Sequence, residues 1–165
     1  MATILDGKAT SAAIKEELKE KVAQMLSEGK RPPHLAAILV GNNPASKAYV
    51  GNKIKFCAEV GYKSTLKEFE TSITEEELLN EIKALNNDPD VDGYIVQLPL
   101  PKQIDEQAVL AAINPAKDVD GFHVTNVGLL GTGSDHGLVP CTPLGCIMLL
   151  RDHFDGNLSG KKAVV

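Results

Sequence analysis

Tryptophan is absent from this chain, and aromatic residues occupy only 4% of its 165 positions. So few aromatic rings leave little surface for stacking on nucleic-acid bases. Cationic residues are also in the minority, with 17 lysines and arginines against 22 aspartates and glutamates, giving a net charge of -5. A basic face that could neutralise phosphates is not expected, so the composition argues against a nucleic-acid partner and favours a small molecule.

The chain has few cysteines and no long apolar run. Cys57, Cys141 and Cys146 form an odd, irregularly spaced set, which does not suggest a disulfide framework and fits free thiols in a reducing compartment. No apolar run has the length needed to cross a bilayer, and residues 1–7 lack the basic start and apolar stretch of a secretion signal. We therefore expect a cytoplasmic protein with no membrane partner.

What the sequence does contain is a regular alternation of helical and strand patterns. Apolar residues recur at helical spacing over residues 9–28, and residues 35–40 are continuously apolar, as in a strand buried on both faces. The patterns that follow are a helix over 44–60, a strand over 63–69, a helix opened by the capping-box pair Thr74 and Glu77, and a strand over 94–98. Short links between them predict an α/β fold, with helices on both faces of a parallel sheet in three layers.

The rest of the chain is predicted to hold two further helices and a loop. A short helix is expected over residues 105–113, and a polar, glycine-rich and mobile loop over 131–137. Thr142 and Pro143 have the sequence of an N-cap and first helical residue. A new apolar run begins at Ala163, where we expect a strand to start. Because ligands gather beyond the carboxyl ends of parallel strands, we expect the site near residues 41–44 and 97–101.

Three polar residues near those strand ends could carry chemistry. Tyr49 and Lys53 are four positions apart on the second predicted helix, so they share a face, and a phenol beside an amine can act in proton transfer. The same spacing also arises by chance on a lysine-rich helix. Gln97 ends an apolar strand, where a buried amide must be hydrogen-bonded. It either faces a site or satisfies a nearby turn, and the pattern leaves both open.

The tetrapeptide Asp-Val-Asp-Gly occurs twice, at residues 90–93 and 118–121. The first copy leads straight into a strand and needs only a role in a turn. The second precedes Phe122 and a loop, so its carboxylates are expected to be freer to meet a ligand. It is not a calcium loop, because Ala116 and Val127 would fall where acidic ligands are required. The histidines and cysteines also lack paired metal-ligand spacing, so no metal site is expected.

Four sequence blocks occur in a fixed order along the chain. They are residues 49–53 (Tyr-Val-Gly-Asn-Lys), 92–101, 115–122 and 140–145, preceded by residues 41–46 after the first strand. Each block is weak evidence alone. Together they resemble the bifunctional methylenetetrahydrofolate dehydrogenase/methenyltetrahydrofolate cyclohydrolase family, and the resemblance covers essentially the whole chain.

The resemblance implies one-carbon folate metabolism, in which methylenetetrahydrofolate is oxidised with NADP and the methenyl product is hydrolysed to formyltetrahydrofolate. It implies Lys53 as the general acid/base and Tyr49 as the aromatic that stacks on the folate and steadies Lys53. Gln97 would hydrogen-bond Lys53, and Asp120 would bind the pterin ring. The same cleft would be lined by Val96, Leu98 and Pro99.

The same resemblance implies that residues 1–140 form the folate-binding catalytic domain and residues 141–165 a linker helix and the first strand of a Rossmann-type NADP domain. The NADP site is expected after Val165, so dehydrogenase activity is not expected of this chain alone, and the full-length protein is expected to be a homodimer. A short-chain dehydrogenase also uses Tyr-x-x-x-Lys, but residues 41–44 do not form its glycine-rich loop. A non-catalytic folate-binding module remains the other alternative.

Overall fold

A computed structural model describes residues 4–164 and contains one parallel sheet between helices. In chain order the elements are α1 (Gly7–Ser27), β1 (His34–Val40), α2 (Pro44–Val60), β2 (Lys63–Phe69), α3 (Glu75–Asn87), β3 (Gly93–Val96), α4 (Glu106–Ala112), α5 (Val124–Gly131) and α6 (Cys141–His153). The strands lie in the order β2-β1-β3 and run parallel. Within the described stretch, no helix has both the length and the hydropathy that crossing a membrane requires.

The central strand β1 is buried on both faces because consecutive side chains of a strand point to opposite sides. One side packs against α3 and α4 in a core that includes Ala36, Ile38, Val40, Leu78, Ile82 and Val109. The other side packs against α2 in a smaller cluster of Ala37, Leu39, Val50 and Ile95, and α1 packs on α2. The predicted three-layer α/β arrangement is confirmed.

Local capping interactions set the ends of the predicted helices. At the start of α2, Asn43 Oδ1 accepts hydrogen bonds from Ala45 N at 2.9 Å and Ser46 N at 3.2 Å, and Gly61 ends the helix in the left-handed conformation. At the start of α3, Thr74 Oγ1 accepts from Glu77 N, and Glu77 Oε2 accepts from Thr74 N. Both caps were predicted and are confirmed.

Several boundaries differ from the predictions, and two of them bear on the site. The third strand ends at Val96 rather than Leu98, although Gln97 N still donates to Ile38 O at 2.9 Å. The prediction of Thr142 as an N-cap is wrong, because α6 begins at Cys141 with Pro140 in the cap position. Pro143 then lies in the first helical turn, where amide groups have no intrahelical partner and proline is tolerated.

The later part of the chain contains a helix that was not predicted. Helix α5 occupies part of the segment between the second Asp-Val-Asp-Gly copy and the polar loop, and Gly131 is its last residue rather than the start of that loop. Ala163 and Val164 belong to no strand, and Val165 lies outside the described residues. Residues 1–3 also lie outside the described residues; they belong to the amino-terminal stretch 1–7 in which no secretion signal was expected.

The segment after α4 returns to the open edge of β3. Tyr94 N donates to Lys117 O at 3.0 Å, and Tyr94 and Asp118 form an isolated parallel bridge. Gly93 allows this approach, because a Cβ at that position would overlap the side chain of Val119. Asp120 and Phe122 are thereby brought beside the carboxyl end of β3.

Candidate active site

A cleft of about 350 Å³ opens at the carboxyl edge of the sheet. Its walls come from α2, the exit of β3, the 118–122 loop and the start of α6. Six of the seven residues that the family resemblance implies line this cleft, namely Tyr49, Lys53, Val96, Gln97, Leu98 and Asp120. The seventh, Pro99, follows Leu98 directly but is not part of the lining. The site therefore lies near the predicted strand exit at residues 97–101, whereas residues 41–44, the other predicted position, do not line it.

Lys53 lies between an aromatic ring and a carboxylate. Its Nζ is 5.0 Å from the centroid of the Tyr49 ring, so the shared helical face predicted from their spacing is confirmed. The same Nζ is 3.4 Å from Asp120 Oδ1, with the side chains 26% and 27% exposed. An ion pair that is this long and this open to solvent contributes little to stability, so both groups remain accessible to a ligand.

Tyr49 is exposed over 55% of its surface. An aromatic ring at the mouth of a cleft offers a face on which a planar ligand can stack. The Lys53 ammonium lies within cation–π range of that ring, which helps hold the lysine side chain toward the cleft.

Gln97 bonds to its own neighbour in this structure. Its Nε2 donates to Leu98 O at 2.7 Å, which is the turn-satisfying role that the sequence left open. No hydrogen bond joins the described side chains of Gln97 and Lys53, although both line the cleft. The pairing of Gln97 with Lys53 stays a prediction.

The two Asp-Val-Asp-Gly copies have different surroundings. In the first copy, the Asp92 carboxylate accepts from both terminal nitrogens of Arg31, at 2.7 and 2.9 Å, and from His34 N at 2.8 Å. The hydrogen bonds from Arg31, more than that from His34, hold the pKa of Asp92 below its ordinary value. In the second copy, Asp118 is buried and only Asp120 lines the cleft. The expectation that both carboxylates of this copy are free for a ligand is therefore wrong.

The sequence reasoning did not assign Phe122 or residues 140–143 to the site, although both line it. Phe122 is half-exposed beside Asp120. Cys141 Sγ donates to Val119 O at 3.5 Å, and the first turn of α6 has no side-chain cap. The positive end of the α6 dipole therefore lies at the cleft. The signal for this wall was the Pro-Cys-Thr-Pro stretch, which was interpreted as a helix start and as part of a family block but was not assigned to the site.

The fold and the site together define an α/β protein with a small-molecule cleft of enzymatic type, in which a lysine, a tyrosine and a carboxylate converge at the end of a parallel sheet. Residues 5–120 match the family model described as tetrahydrofolate dehydrogenase/cyclohydrolase, catalytic domain. The chain belongs to this family. The resemblance inferred from the four blocks is confirmed, and the short-chain dehydrogenase alternative is not supported.

The similarity to individual proteins covers more of the chain than residues 5–120. Bifunctional protein FolD 1/3 of Ruegeria pomeroyi is 53% identical over 164 residues, which are 99% of this chain and 55% of that protein. The bifunctional FolD methylenetetrahydrofolate dehydrogenase/cyclohydrolase of Campylobacter jejuni is similar in structure, with a TM-score of 0.90 and 50% identity, covering 96% of this chain and 55% of that chain. The Trypanosoma brucei FolD enzyme, complexed with NADP cofactor and inhibitor, has a TM-score of 0.87 and 36% identity, with coverages of 93% and 52%. The chain spans about half the length of the relatives it matches.

Proposed function

We propose that this chain is the folate-binding catalytic part of a bifunctional enzyme of one-carbon metabolism, which oxidises methylenetetrahydrofolate and hydrolyses methenyltetrahydrofolate to formyltetrahydrofolate. The observation that carries the proposal is the meeting of Lys53 with Asp120, 67 positions later in sequence, in one cleft beside Tyr49. Family membership supports the folate substrate class.

Each residue has a role that its surroundings support. The Asp120 carboxylate would accept hydrogen bonds from the N–H edge of the pterin, and the exposed ring of Tyr49 would stack on it. A pterin bound at Asp120 would loosen the contact of that carboxylate with Lys53. Gln97, by leaving Leu98 O, could then hydrogen-bond the amine. Val96 and Leu98 would form walls beside the pterin, whereas Pro99, which does not line the cleft, stays a prediction.

In the hydrolysis that we propose, Lys53 moves the proton. A water molecule adds to the methenyl carbon while the neutral amine of Lys53 accepts its proton. The new oxygen–carbon bond forms and leaves a hydroxyl on that carbon. As the bond from the carbon to one folate nitrogen breaks, the proton returns from Lys53 to that nitrogen, and the hydroxyl loses its remaining proton to solvent to give the formyl carbonyl. The positive charge of the methenyl group leaves with that second proton. The product is formyltetrahydrofolate, and no oxidant is consumed.

The starts of α2 and α3 are already partly capped and do not suit the pyrophosphate of a dinucleotide. The helix after β1 has its first free amides bound by Asn43 Oδ1, and Pro44 supplies no amide at all. At the start of α3, the Thr74 side chain binds one amide, that of Glu77. We therefore propose that, in the full-length enzyme, NADP is held by the region after Val165 that corresponds to the unmatched part of the relatives.

The remaining proposals concern organisation. We propose residues 1–140 as the folate domain and residues 141–165 as the connection to the cofactor domain, and no residue of α6 is buried, as suits a connecting helix. We also propose a cytoplasmic homodimer for the full-length enzyme.

The test combines binding with turnover. Tetrahydrofolate is titrated into the 165-residue chain by calorimetry, and hydrolysis of methenyltetrahydrofolate is followed by its loss of absorbance, with heat-denatured chain as the control for spontaneous hydrolysis. We expect saturable binding and a weak catalysed rate. Binding without turnover, even in the full-length protein, would favour the non-catalytic module. The absence of binding would contradict the proposed function.

A further inference from the structure

Asp118 and Asn126 are buried polar residues that lie behind the cleft and do not line it. They are 2% and 3% exposed, and Asn126 Nδ2 donates to Asp118 Oδ2 at 2.9 Å. A buried carboxylate is costly unless it is fully hydrogen-bonded. Within residues 4–164, Asp118 has no cationic partner, and its hydrogen bonds come from neutral N–H groups.

Two of those N–H groups belong to the loop that carries Asp120. Gly121 N donates to Asp118 Oδ1 at 3.1 Å, and His123 N donates to Asp118 Oδ2 at 2.8 Å. The Asp118 side chain therefore closes its own loop around Asp120. A change in this carboxylate would release the backbone directly after Asp120.

Asn126 ties the same loop to two other segments. Its Nδ2 also donates to Pro115 O at 2.9 Å, and its Oδ1 accepts from Leu138 N at 3.2 Å. The Asn126 side chain thus joins three parts of the chain: the turn at Pro115, the Asp118 carboxylate and the segment at Leu138 that leads into α6. The loop of Asp118 and the segment leading into α6 both continue into walls of the cleft.

The Asp120 side chain has little else to hold it. Among the described residues its polar contact is the 3.4 Å pair with Lys53, and a pair this long and partly open to solvent is weak. The position of Asp120 must therefore come from its backbone. We propose that Asp118 and Asn126 are positioning residues that set the distance between Asp120 and Lys53; this rests on the proposed function only in treating Asp120 as a folate ligand.

A double-mutant cycle tests whether Asn126 acts through Asp120. The wild type, Asn126→Ala, Asp120→Ala and the double variant are each titrated with tetrahydrofolate by calorimetry. We expect Asn126→Ala to weaken binding about tenfold in the wild-type background and less than about twofold in the Asp120→Ala background. Equal losses in both backgrounds would overturn the proposal, because Asn126 would then act independently of Asp120.

Asp118→Asn tests the other partner, since an amide nitrogen would replace an acceptor that faces N–H groups. Its matched control is Asp90→Asn, the same position in the other Asp-Val-Asp-Gly copy, where the side chain is exposed. Val127→Ala controls for shortening an exposed side chain on α5. If Asp118→Asn does not fold, Asn126→Ser takes its place. The serine hydroxyl keeps a polar group at the site, so we expect a smaller loss of tetrahydrofolate affinity than for Asn126→Ala.

A second measurement needs no folate. Lys53 is acylated with acetic anhydride below the unfolding temperature, and peptide mass spectrometry compares it with exposed Lys47 on the same helix. In Asn126→Ala we expect Asp120 to move away from Lys53. The ratio of Lys53 to Lys47 labelling should then rise about threefold, as expected for the loss of a weak ion pair. In the double variant with Asp120→Ala the ratio should not rise further.

The two measurements separate the possible failures. An Asn126→Ala chain with a lower unfolding temperature but an unchanged labelling ratio would overturn the positioning role. A changed ratio in a chain whose wild type binds no folate would support positioning and contradict the proposed function alone.

Discussion

Lys53 and Asp120 pair at 3.4 Å with about a quarter of each side chain exposed. A tight, buried ion pair would lose several kcal/mol when one partner is taken away, whereas an exposed pair costs about 1 kcal/mol or less to open. A ligand that bonds Asp120 can therefore displace Lys53 at little cost. At the scale of single residues, this looseness suits a proton-transfer group that must change partners when substrate binds.

Replacing Lys53 by methionine tests its proposed role in proton transfer. Methionine keeps an unbranched apolar side chain but cannot carry a proton, so we expect methenyltetrahydrofolate hydrolysis by the full-length protein to fall at least about 100-fold. The unfolding temperature should stay unchanged. Lys47→Met, on the exposed part of the same helix, is the matched control. Activity of Lys53→Met within a few-fold of wild type would contradict the assignment.

Asp120→Asn should affect folate binding more than stability. The amide replaces a charged acceptor and loses about 1.5 to 3 kcal/mol of charge-assisted hydrogen bonding to the pterin. Calorimetric titration with tetrahydrofolate measures the loss, and chemical denaturation measures stability. Asp135→Asn, in the exposed loop, serves as the control. An unchanged dissociation constant for Asp120→Asn would count against a pterin contact.

Single residues also mark where prediction from sequence ended. The shared face of Tyr49 and Lys53 follows from helical spacing alone. Which carboxylate of the second Asp-Val-Asp-Gly copy reaches the cleft does not, because Asp118 is turned inward by hydrogen bonds from Gly121 and His123. Gln97 was ambiguous for a similar reason, since a nearby carbonyl competes for its amide.

At the scale of elements, a helix was easiest to place where its capping residue was recognisable in the sequence. Helices α2 and α3 were predicted because Asn43 and Thr74 cap them through bonds within the same few residues. Helix α5 was not predicted, because it is short, contains Gly128 and Gly131, and buries only Asn126. The position of α5 depends on hydrogen bonds between Asn126 and segments outside the helix, at Pro115, Asp118 and Leu138. These contacts cannot be predicted from the local sequence pattern.

The turn between Asp120 and α5 depends on Gly121. This glycine has a φ of +70°, and a Cβ would lie 2.8 Å from both Leu138 O and Pro140 N. Gly121→Ala should therefore cost more than the roughly 1 to 2 kcal/mol of left-handed strain alone. Gly133→Ala is a matched control, because its φ is +74° but a Cβ would meet nothing within 4 Å. Urea denaturation of both variants measures the difference, and equal losses of stability would show that the contact is unimportant.

At the scale of the whole molecule, the order β2-β1-β3 places the exit of β3 beside α2 and the returning 117–119 segment. The α/β class and its three layers were predictable because apolar periodicity and short links are properties of the sequence itself. The second wall of the cleft was not, because it forms from the 118–122 loop and α6, which meet through tertiary contacts. Leu144, Ile147 and Met148 of α6 each remain about 40% exposed, so this wall lacks apolar cover within residues 4–164.

We predict that this 165-residue chain binds folate but neither binds NADP nor oxidises methylenetetrahydrofolate. A pyrophosphate needs free amides at a helix start, and among the described helices α1 to α5 each have one or two of these amides already bound by a capping side chain, from Asp6, Asn43, Thr74, Asp105 and His123. The start of α6 has no such cap, but it opens into the cleft proposed for folate, so an anion there would compete with substrate. Titration with NADP by calorimetry should give no saturable binding at micromolar concentrations, with tetrahydrofolate as the positive control. Micromolar NADP binding that persists in the presence of saturating tetrahydrofolate would mean that a separate nucleotide site exists in this chain.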